Sequence, residues 1–478
     1  MHLSDSWEGL HHLGVTLIEL KRFEEALLIY NQILESEPNA YDALVFRGMA
    51  LQGLENFEEA LINFERAIAH SSDSPYVWYE RGFTLFKLGK LQEALSSIDI
   101  ALEIQSDYLK ALLLRGAVLL EQKKLEAALI SFEKLILIKP NYPKAWYEKG
   151  LTLYELGKLE DAVNSFEKAI DYKPNFDLAW YHKGIALFDL GEFESALSCF
   201  EKVIEIQPND PNAWYEKGCT LDKLTKLEDA IICFDKAIEY QQNLYLAWYR
   251  KGIVLLNLDK LESALASFEK ALEIQPNSLE ALYRKGGILY SLGNLEDTID
   301  TFNKVIKLDP QNCQVRNQLG RALGKSERYE DAIVAFDKVI EIDSQNYAAH
   351  CFKGYTLHKL GRNKDAIITL NKAIEINPNY DLAWKIYGSV LHKLEQNEEA
   401  ILFFDKALDL HPNQPNILYD KACCYTALNK IDLALENIQR AINLNPEKFC
   451  EMAKNDPDFD KIRDDMRFQA LFFNYMKW

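Results

Sequence analysis

The sequence predicts an all-α solenoid, a stack of helix pairs with no conventional globular domain beside it. Three observations point there. First, a small residue returns every 34 positions without an insertion, at Gly14, Gly48, Gly82, Gly116, Gly150, Gly184, Gly218, Gly252, Gly286, Gly320, Gly354, Gly388 and Ala422. A fixed period of this size marks an array in which each unit buries its apolar face mainly against its neighbours. Second, each period holds two runs of apolar residues at helical spacing, separated by a breaker. Third, the prolines keep to the period. With each repeat numbered from seven residues before its small residue, thirteen of the fourteen prolines occupy position 32 (Pro38, Pro140, Pro174, Pro208, Pro276, Pro310, Pro378, Pro412, Pro446) or position 1 (Pro75, Pro143, Pro211, Pro415). These are a turn and the first residue of a helix, where a missing N–H costs little.

The period divides the chain into a short lead at 1–6, thirteen repeats, and a C-terminal cap at 449–478. The repeats run 7–40, 41–74, 75–108, 109–142, 143–176, 177–210, 211–244, 245–278, 279–312, 313–346, 347–380, 381–414 and 415–448. In repeat five, Trp146, Gly150 and Leu153 form one stripe of a first helix. Leu156–Gly157 stops it, with glycine free to take the left-handed cap conformation. Leu159, Ala162, Val163, Phe166, Ala169 and Ile170 define a second amphipathic helix, which Pro174 and Asn175 end. The small residue at position 8 and alanine at position 20, where Thr298 is the one exception, let the two helices approach closely. Alanines at position 27, such as Ala169, Ala237 and Ala407, face the following repeat. Gly218→Leu is therefore expected to overpack the pair and loosen repeats six to eight.

The formal charge of −19 follows the same pattern. Positions 18 and 19 carry carboxylates in most copies, as in Glu24–Glu25, Glu160–Asp161 and Glu398–Glu399, in the first turn of the second helix where they complement its dipole. Position 26, late in that helix, is basic in eleven copies. The acidity reads as a solvated helical surface, and it argues against nucleic-acid binding, which needs clustered Lys and Arg. The eight cysteines form no CxxC pair and no metal-ligand spacing, which points to reduced thiols in a cytoplasmic protein. The first residues make no signal peptide and no apolar run reaches membrane-spanning length, so no membrane association is expected.

With Trp or Leu at position 4, Gly at 8, Leu at 11, Ala at 20, Phe at 24, Ala at 27 and Pro at 32, the chain resembles the tetratricopeptide repeat family over about residues 7–448. The resemblance implies a right-handed superhelix, its first helices lining a concave groove and its second helices forming the convex side. It also implies binding of peptides, extended segments or helices of other proteins. The stretch AKNDPDFDKIRDDMRFQAL looks like the segment that ends many bacterial arrays of this family. Its Phe459, Ile462, Phe468 and Leu471 are suited to cover the last repeat, while Lys461, Arg463, Asp464 and Asp465 stay wet. Phe472, Phe473, Tyr475 and Trp478 leave a docking tail as the alternative.

In the family, positions 2, 5, 9, 12 and 13 of the first helix face the groove. Here Tyr79, Tyr147, Tyr181, Tyr215, Tyr249, Tyr283 and Tyr419 share position 5, while Phe86, Tyr154, Phe188 and Tyr290 share position 12. Tyrosine offers contact area with few rotors and a polar tip. The candidate partner-binding stripe is therefore Tyr79, Tyr147, Tyr154, Tyr181, Phe188, Tyr215, Tyr249, Tyr283 and Tyr290. The residues with which the family grips acidic chaperone tails are missing: position 9 and position 6 never carry Asn, and position 5 is Lys only at Lys385. A chaperone carboxylate clamp is thus not expected. Repeats ten to twelve depart most, with Arg316 at position 4, Ser326–Glu327 in place of the Leu-Gly stop, and His350–Cys351. Arg321, Lys325, Lys359, Lys385 and Lys393, with His358 and His392, form a secondary basic patch suited to an acidic segment or a phosphate. The two histidines share position 12, but no Cys, Asp or Glu at matching positions completes a metal site.

No metal, cofactor or catalytic constellation is expected. The primary reading is a non-enzymatic scaffold or adaptor that binds protein or peptide segments. The alternatives are a peptide- or ligand-sensing regulatory solenoid, and the repeat subunit of an enzyme complex.

Overall fold

The structure, a computed structural model, describes residues 4–472. It is all-α, with no strand among the described residues. Helix pairs succeed one another from Ser4–Glu19 with Phe23–Ser36 to Pro415–Ala427 with Ile431–Leu444, and the C-terminal segment follows. They form two compact units, Met1–Ala247 and Trp248–Trp478. Within each unit the two helices of a repeat pack on each other, and first helices of neighbouring repeats also touch. Second helices approach one another less closely, so the first helices form the denser layer.

The core explains the small residues. A Cβ added at Gly150, Gly218 or Gly286 would lie 2.6, 2.7 or 2.4 Å from the phenyl ring at position 24 of the same repeat, Phe166, Phe234 or Phe302. Those rings are essentially fully buried. The copy with alanine at position 8, Ala422, has Ile438 in place of the ring. Thr298, the exception at position 20, satisfies its buried hydroxyl by donating to Asn294 O at 2.8 Å.

The turn between the two helices requires a left-handed residue at position 15 in every repeat. Glycine supplies it at Gly89, Gly157, Gly191, Gly293 and Gly361. Eight residues of other types accept it instead, among them Glu327 at φ 62° and Thr225 at φ 59°. The loss of the Leu-Gly stop in repeat ten therefore leaves the turn intact, with Arg328 N donating to Leu323 O at 2.9 Å. A β-branched residue fits this conformation worst. Thr225→Gly should stabilise its turn by about 0.5–1 kcal/mol, because relief of the left-handed strain exceeds the added chain entropy. Hydrogen-exchange protection of Pro211–Lys223 and Leu227–Tyr240 is the readout, and no gain would show that the turn carries no strain.

Charges stitch the repeats together. Position 7 of one repeat pairs with position 25 of the repeat before: Arg81–Glu65 at 2.9 Å, Arg115–Asp99 at 2.7 Å, Lys149–Glu133 at 3.0 Å, Lys217–Glu201 at 3.0 Å and Lys285–Glu269 at 2.7 Å. Position-26 lysines pair three residues on, as in Lys168–Asp171 and Lys338–Glu341. Such exposed or half-exposed pairs each contribute at most about 1 kcal/mol, so they set register more than stability. The ladder lapses in repeat ten, where Leu319 stands at position 7, and in repeat twelve, where Tyr387 instead stacks on Phe403 at 4.1 Å.

A second regularity accounts for two of the departures. The indole N–H at position 4 donates to the carbonyl six residues earlier: Trp146 to Pro140 O at 2.7 Å, Trp180 to Pro174 O at 2.9 Å, Trp384 to Pro378 O at 2.7 Å. Arg316 donates to Pro310 O at 2.9 Å, and His350 Nε2 lies 3.1 Å from Ser344 O. Both replace the tryptophan as a donor.

The C-terminal segment forms a helix Pro446–Asn455, a 3-10 turn Pro457–Ile462 and a short helix Met466–Ala470. The first begins at Pro446, because Asn445 caps Lys448 N at 3.2 Å and proline suits the first position. The short helix starts where Asp465 caps Arg467 N at 2.8 Å. Phe459, Ile462, Phe468 and Phe472 are buried against Leu418, Tyr419, Ala422 and Ile442, while Leu471 is half-buried. Arg463 and Asp465 do not stay wet: both are half-buried, and Arg463 donates to Lys454 O and Asp456 O. Phe473, Tyr475 and Trp478 lie outside the described residues.

Candidate ligand groove

In the C-terminal unit the first helices of repeats nine to thirteen wall a groove of about 480 Å³. Its sides come from Leu279–Ser291, Cys313–Lys325, Tyr347–Lys359, Asp381–Lys393 and Pro415–Ala427. Arg321, Lys325, Lys359 and Lys385 line it, with His358, over a floor that includes Tyr290, Phe352 and Tyr355. The guanidinium of Arg321 stands 5.5 Å from the Tyr290 ring centroid and 5.2 Å from that of Phe352, and Lys325 Nζ lies 4.9 Å from Tyr290. Aromatic faces thus hold the cations in place without neutralising them. Among the described residues no carboxylate lies within ion-pair distance of any of these four cations, in contrast to the lysines and arginines of the ladder. Asp420 is the acid in the lining; burial pushes it up to about 6, against the pull of Lys385 and His392.

What opens the groove is a missing side chain. Position 12 carries Tyr290 and His358 in repeats nine and eleven, but Gly324 in repeat ten. An added Cβ there would meet only Thr356 Oγ1, at 4.0 Å.

The structure brings four of the five patch residues together. Lys393 is exposed and does not line the groove; its charge acts on Asp458 of the cap. Two of the nine stripe residues, Tyr283 and Tyr290, line an adjoining depression of about 440 Å³ that shares Tyr290 and Arg321 with the groove. The other stripe residues sit in the seams between helices. Tyr147 is 9% exposed and its ring lies 5.1 Å from Phe176, so burial raises its phenol to about 12. Tyr181, Tyr215 and Tyr249 pack at 6.0, 6.0 and 5.6 Å on the position-24 rings of their own repeats. Tyr79 meets Tyr108 at 5.4 Å, Tyr154 donates to Asp189 Oδ2 at 2.5 Å, and Phe188 meets Phe193 at 5.3 Å. Sequence reasoning missed Phe352, Tyr355, Gly324 and Asp420. The glycine at position 12, between large residues in the flanking repeats, was the available signal.

His392 belongs to the cap. Its Nε2 lies 3.2 Å from Asp458 Oδ2, and its Nδ1 lies 2.6 Å from Asn397 Oδ1 and 3.4 Å from Cys424 Sγ. The Asp458 contact, then the Cys424 contact, raise the imidazole to about 11 against the opposing effect of burial. Because the folded value exceeds that of a free imidazole, this stabilisation is complete below about pH 6.5 and is lost as pH rises through about 11. An NMR titration should find His392 still protonated at pH 9; a midpoint near the free value would mean the contact is open. Cys423, Asp456 and Asp458 also cluster, their ligand atoms within 4.8 Å of one another. Hydrogen bonds already engage both carboxylates, and burial among carboxylates pushes the Cys423 thiol far up, away from the thiolate that a metal needs.

A stack of helix pairs with a side-chain-lined groove along its first helices is an α-solenoid of the repeat class. More narrowly, the chain belongs to the tetratricopeptide repeat family. Models described as tetratricopeptide repeat match residues 11–76, 47–108, 79–145 and 147–211, and further ones match 199–232, 245–278, 279–312 and 415–448. A model described as anaphase-promoting complex, cyclosome, subunit 3 matches residues 325–407. Repeats of this family generally serve as scaffolds for protein–protein interaction. No curated protein matches the chain. Among solved structures, YrrB, described as a TPR protein with an unusual peptide-binding site, is 27% identical, with 39% of this chain and 97% of that one covered and a TM-score of 0.36. MamA from Desulfovibrio magneticus RS-1 is 26% identical, over 36% of this chain and 96% of its own, with a TM-score of 0.35. A chain of the APC/C hetero-tetramer Cut9–Hcn1 is 14% identical over 95% of this chain and 96% of that one, with a TM-score of 0.42.

Proposed function

We propose that this chain is a non-enzymatic scaffold that holds segments of partner proteins along its first helices, with the groove of repeats nine to thirteen as the principal seat. The observation that carries this is a cavity of about 480 Å³ above an aromatic floor, lined by cations that no carboxylate among the described residues pairs at ion-pair distance. Unpaired charge beside apolar surface is costly to maintain and suits a ligand that supplies the opposite charge and a body to pack. The tyrosine stripe from Tyr79 to Tyr249 is the second candidate surface. A reducing, cytoplasmic setting suits the eight free cysteines, and no helix among the described residues is long and apolar enough to cross a membrane.

Gly324→Phe tests the seat, since open space receives the new ring. A photo-crosslinker at Ser389, within the groove, should capture a partner segment from cell lysate, and Gly324→Phe should abolish that capture with helicity unchanged. Capture by Gly324→Phe that is lost in the Tyr181, Tyr215 and Tyr249→Ala variant would move the seat to the stripe.

A further inference from the structure

The face that carries the groove already holds one acidic segment, the chain's own. The cap turn Asp456–Pro457–Asp458 rests on the first helices of repeats twelve and thirteen. Asp458 faces His392 Nε2 at 3.2 Å, and Asp456 Oδ2 accepts the Tyr419 hydroxyl at 2.7 Å. In the repeat frame these partners are position 12 of repeat twelve and position 5 of repeat thirteen.

Stacked repeats place equivalent positions in equivalent geometry. One repeat back, the same two positions are His358 and Lys385, and both line the groove. The correspondence extends to the residue that orients the histidine. His358 Nδ1 lies 2.9 Å from Asn363 Oδ1, and His392 Nδ1 lies 2.6 Å from Asn397 Oδ1, each Asn at position 17. That contact turns Nε2 outward, toward the place where Asp458 sits on the neighbouring copy. Lysine replaces tyrosine at position 5, which exchanges a neutral donor for a charged one. Arg321, Lys325 and Lys359 extend the positive surface toward repeat ten.

We propose that the groove takes an acidic segment of a partner protein, two of its carboxylates, spaced two residues apart, lying on His358 and Lys385 as Asp458 and Asp456 lie on His392 and Tyr419. This rests on the groove reading above and names the chemistry of its ligand. The formal charge of −19 repels acidic chains in general, so the groove is the exception that selects them, and the interaction weakens with salt.

The test uses the full chain and a fluorescein-labelled Asp-Pro-Asp-Pro-Asp-Pro-Asp peptide, with its all-Asn counterpart as control. Fluorescence polarisation should show saturable binding of the acidic peptide alone. Lys385→Met and the exposed Lys359→Met should each weaken it about tenfold or more, with helicity unchanged, while Lys87→Met in the other unit leaves it unaltered. Equal binding by the Lys385→Met and Lys359→Met variants, binding of the Asn peptide, or no saturable binding overturns the proposal. Displacement by an equal concentration of inorganic phosphate also overturns it, in favour of a phosphate site. If the peptide fails while the Ser389 crosslinker still captures a segment without clustered acids, the groove reading stands and only its acidic specificity falls.

Discussion

Phe459→Ala should release the C-terminal cap and fray the last repeat. The ring is 0% exposed and lies 5.4 Å from Tyr419 and 5.6 Å from Phe468, at the centre of the cluster that covers repeat thirteen. Loss of a buried phenyl ring typically costs about 3–5 kcal/mol. In an array stabilised by nearest neighbours, that loss concentrates at the end where it occurs. Hydrogen-exchange protection should therefore collapse in Pro446–Asn455, Ile431–Leu444 and Pro415–Ala427, and persist in the N-terminal unit. Undiminished protection of those three helices would mean that the His392–Asp458 and Tyr419–Asp456 contacts hold the cap without its apolar centre.

Gly218→Leu is the second large effect expected. A bare Cβ at this position would already stand 2.7 Å from the ring of Phe234, which is 0% exposed and has no room to withdraw. Overpacking of this kind costs about 1–3 kcal/mol, and leucine adds three further carbons to the clash. Exchange should accelerate in Pro211–Lys223 and Leu227–Tyr240 first. Gly324→Phe makes the contrast. It is also a glycine in a first helix, but at position 12 it faces open groove, so a far larger side chain should leave stability nearly unchanged. One residue type serves packing at the first site and binding space at the second.

Two sequence departures turned out to be conservative in chemistry. Arg316 and His350 lack the indole of position 4 yet engage the same carbonyl, because what that position needs is a donor of sufficient reach. Glu327 shows the same for the turn, since the left-handed conformation there is imposed by the flanking helices and needs no glycine. The stripe of tyrosines illustrates the reverse limit. Their spacing identifies a shared face of the first helix, but their depth depends on the side chains of adjoining helices, so Tyr147 lies buried where Tyr283 lines a depression.

The period, the helix pairs, the role of the small residues and the cover over the last repeat were all legible in the chain. Each is an interaction between residues within one period or between adjacent periods, and such interactions repeat in the sequence as faithfully as they repeat in space. The groove was legible only as a list of basic residues. Its existence depends on an absent side chain at Gly324, on rings that hold Arg321 between two repeats, and on lysines that no carboxylate meets at ion-pair distance among the described residues. The contact of His392 with Asp458 likewise joins residues 66 apart. Space left unfilled and charge left unpaired are properties of the volume between helices, and only the folded arrangement decides them.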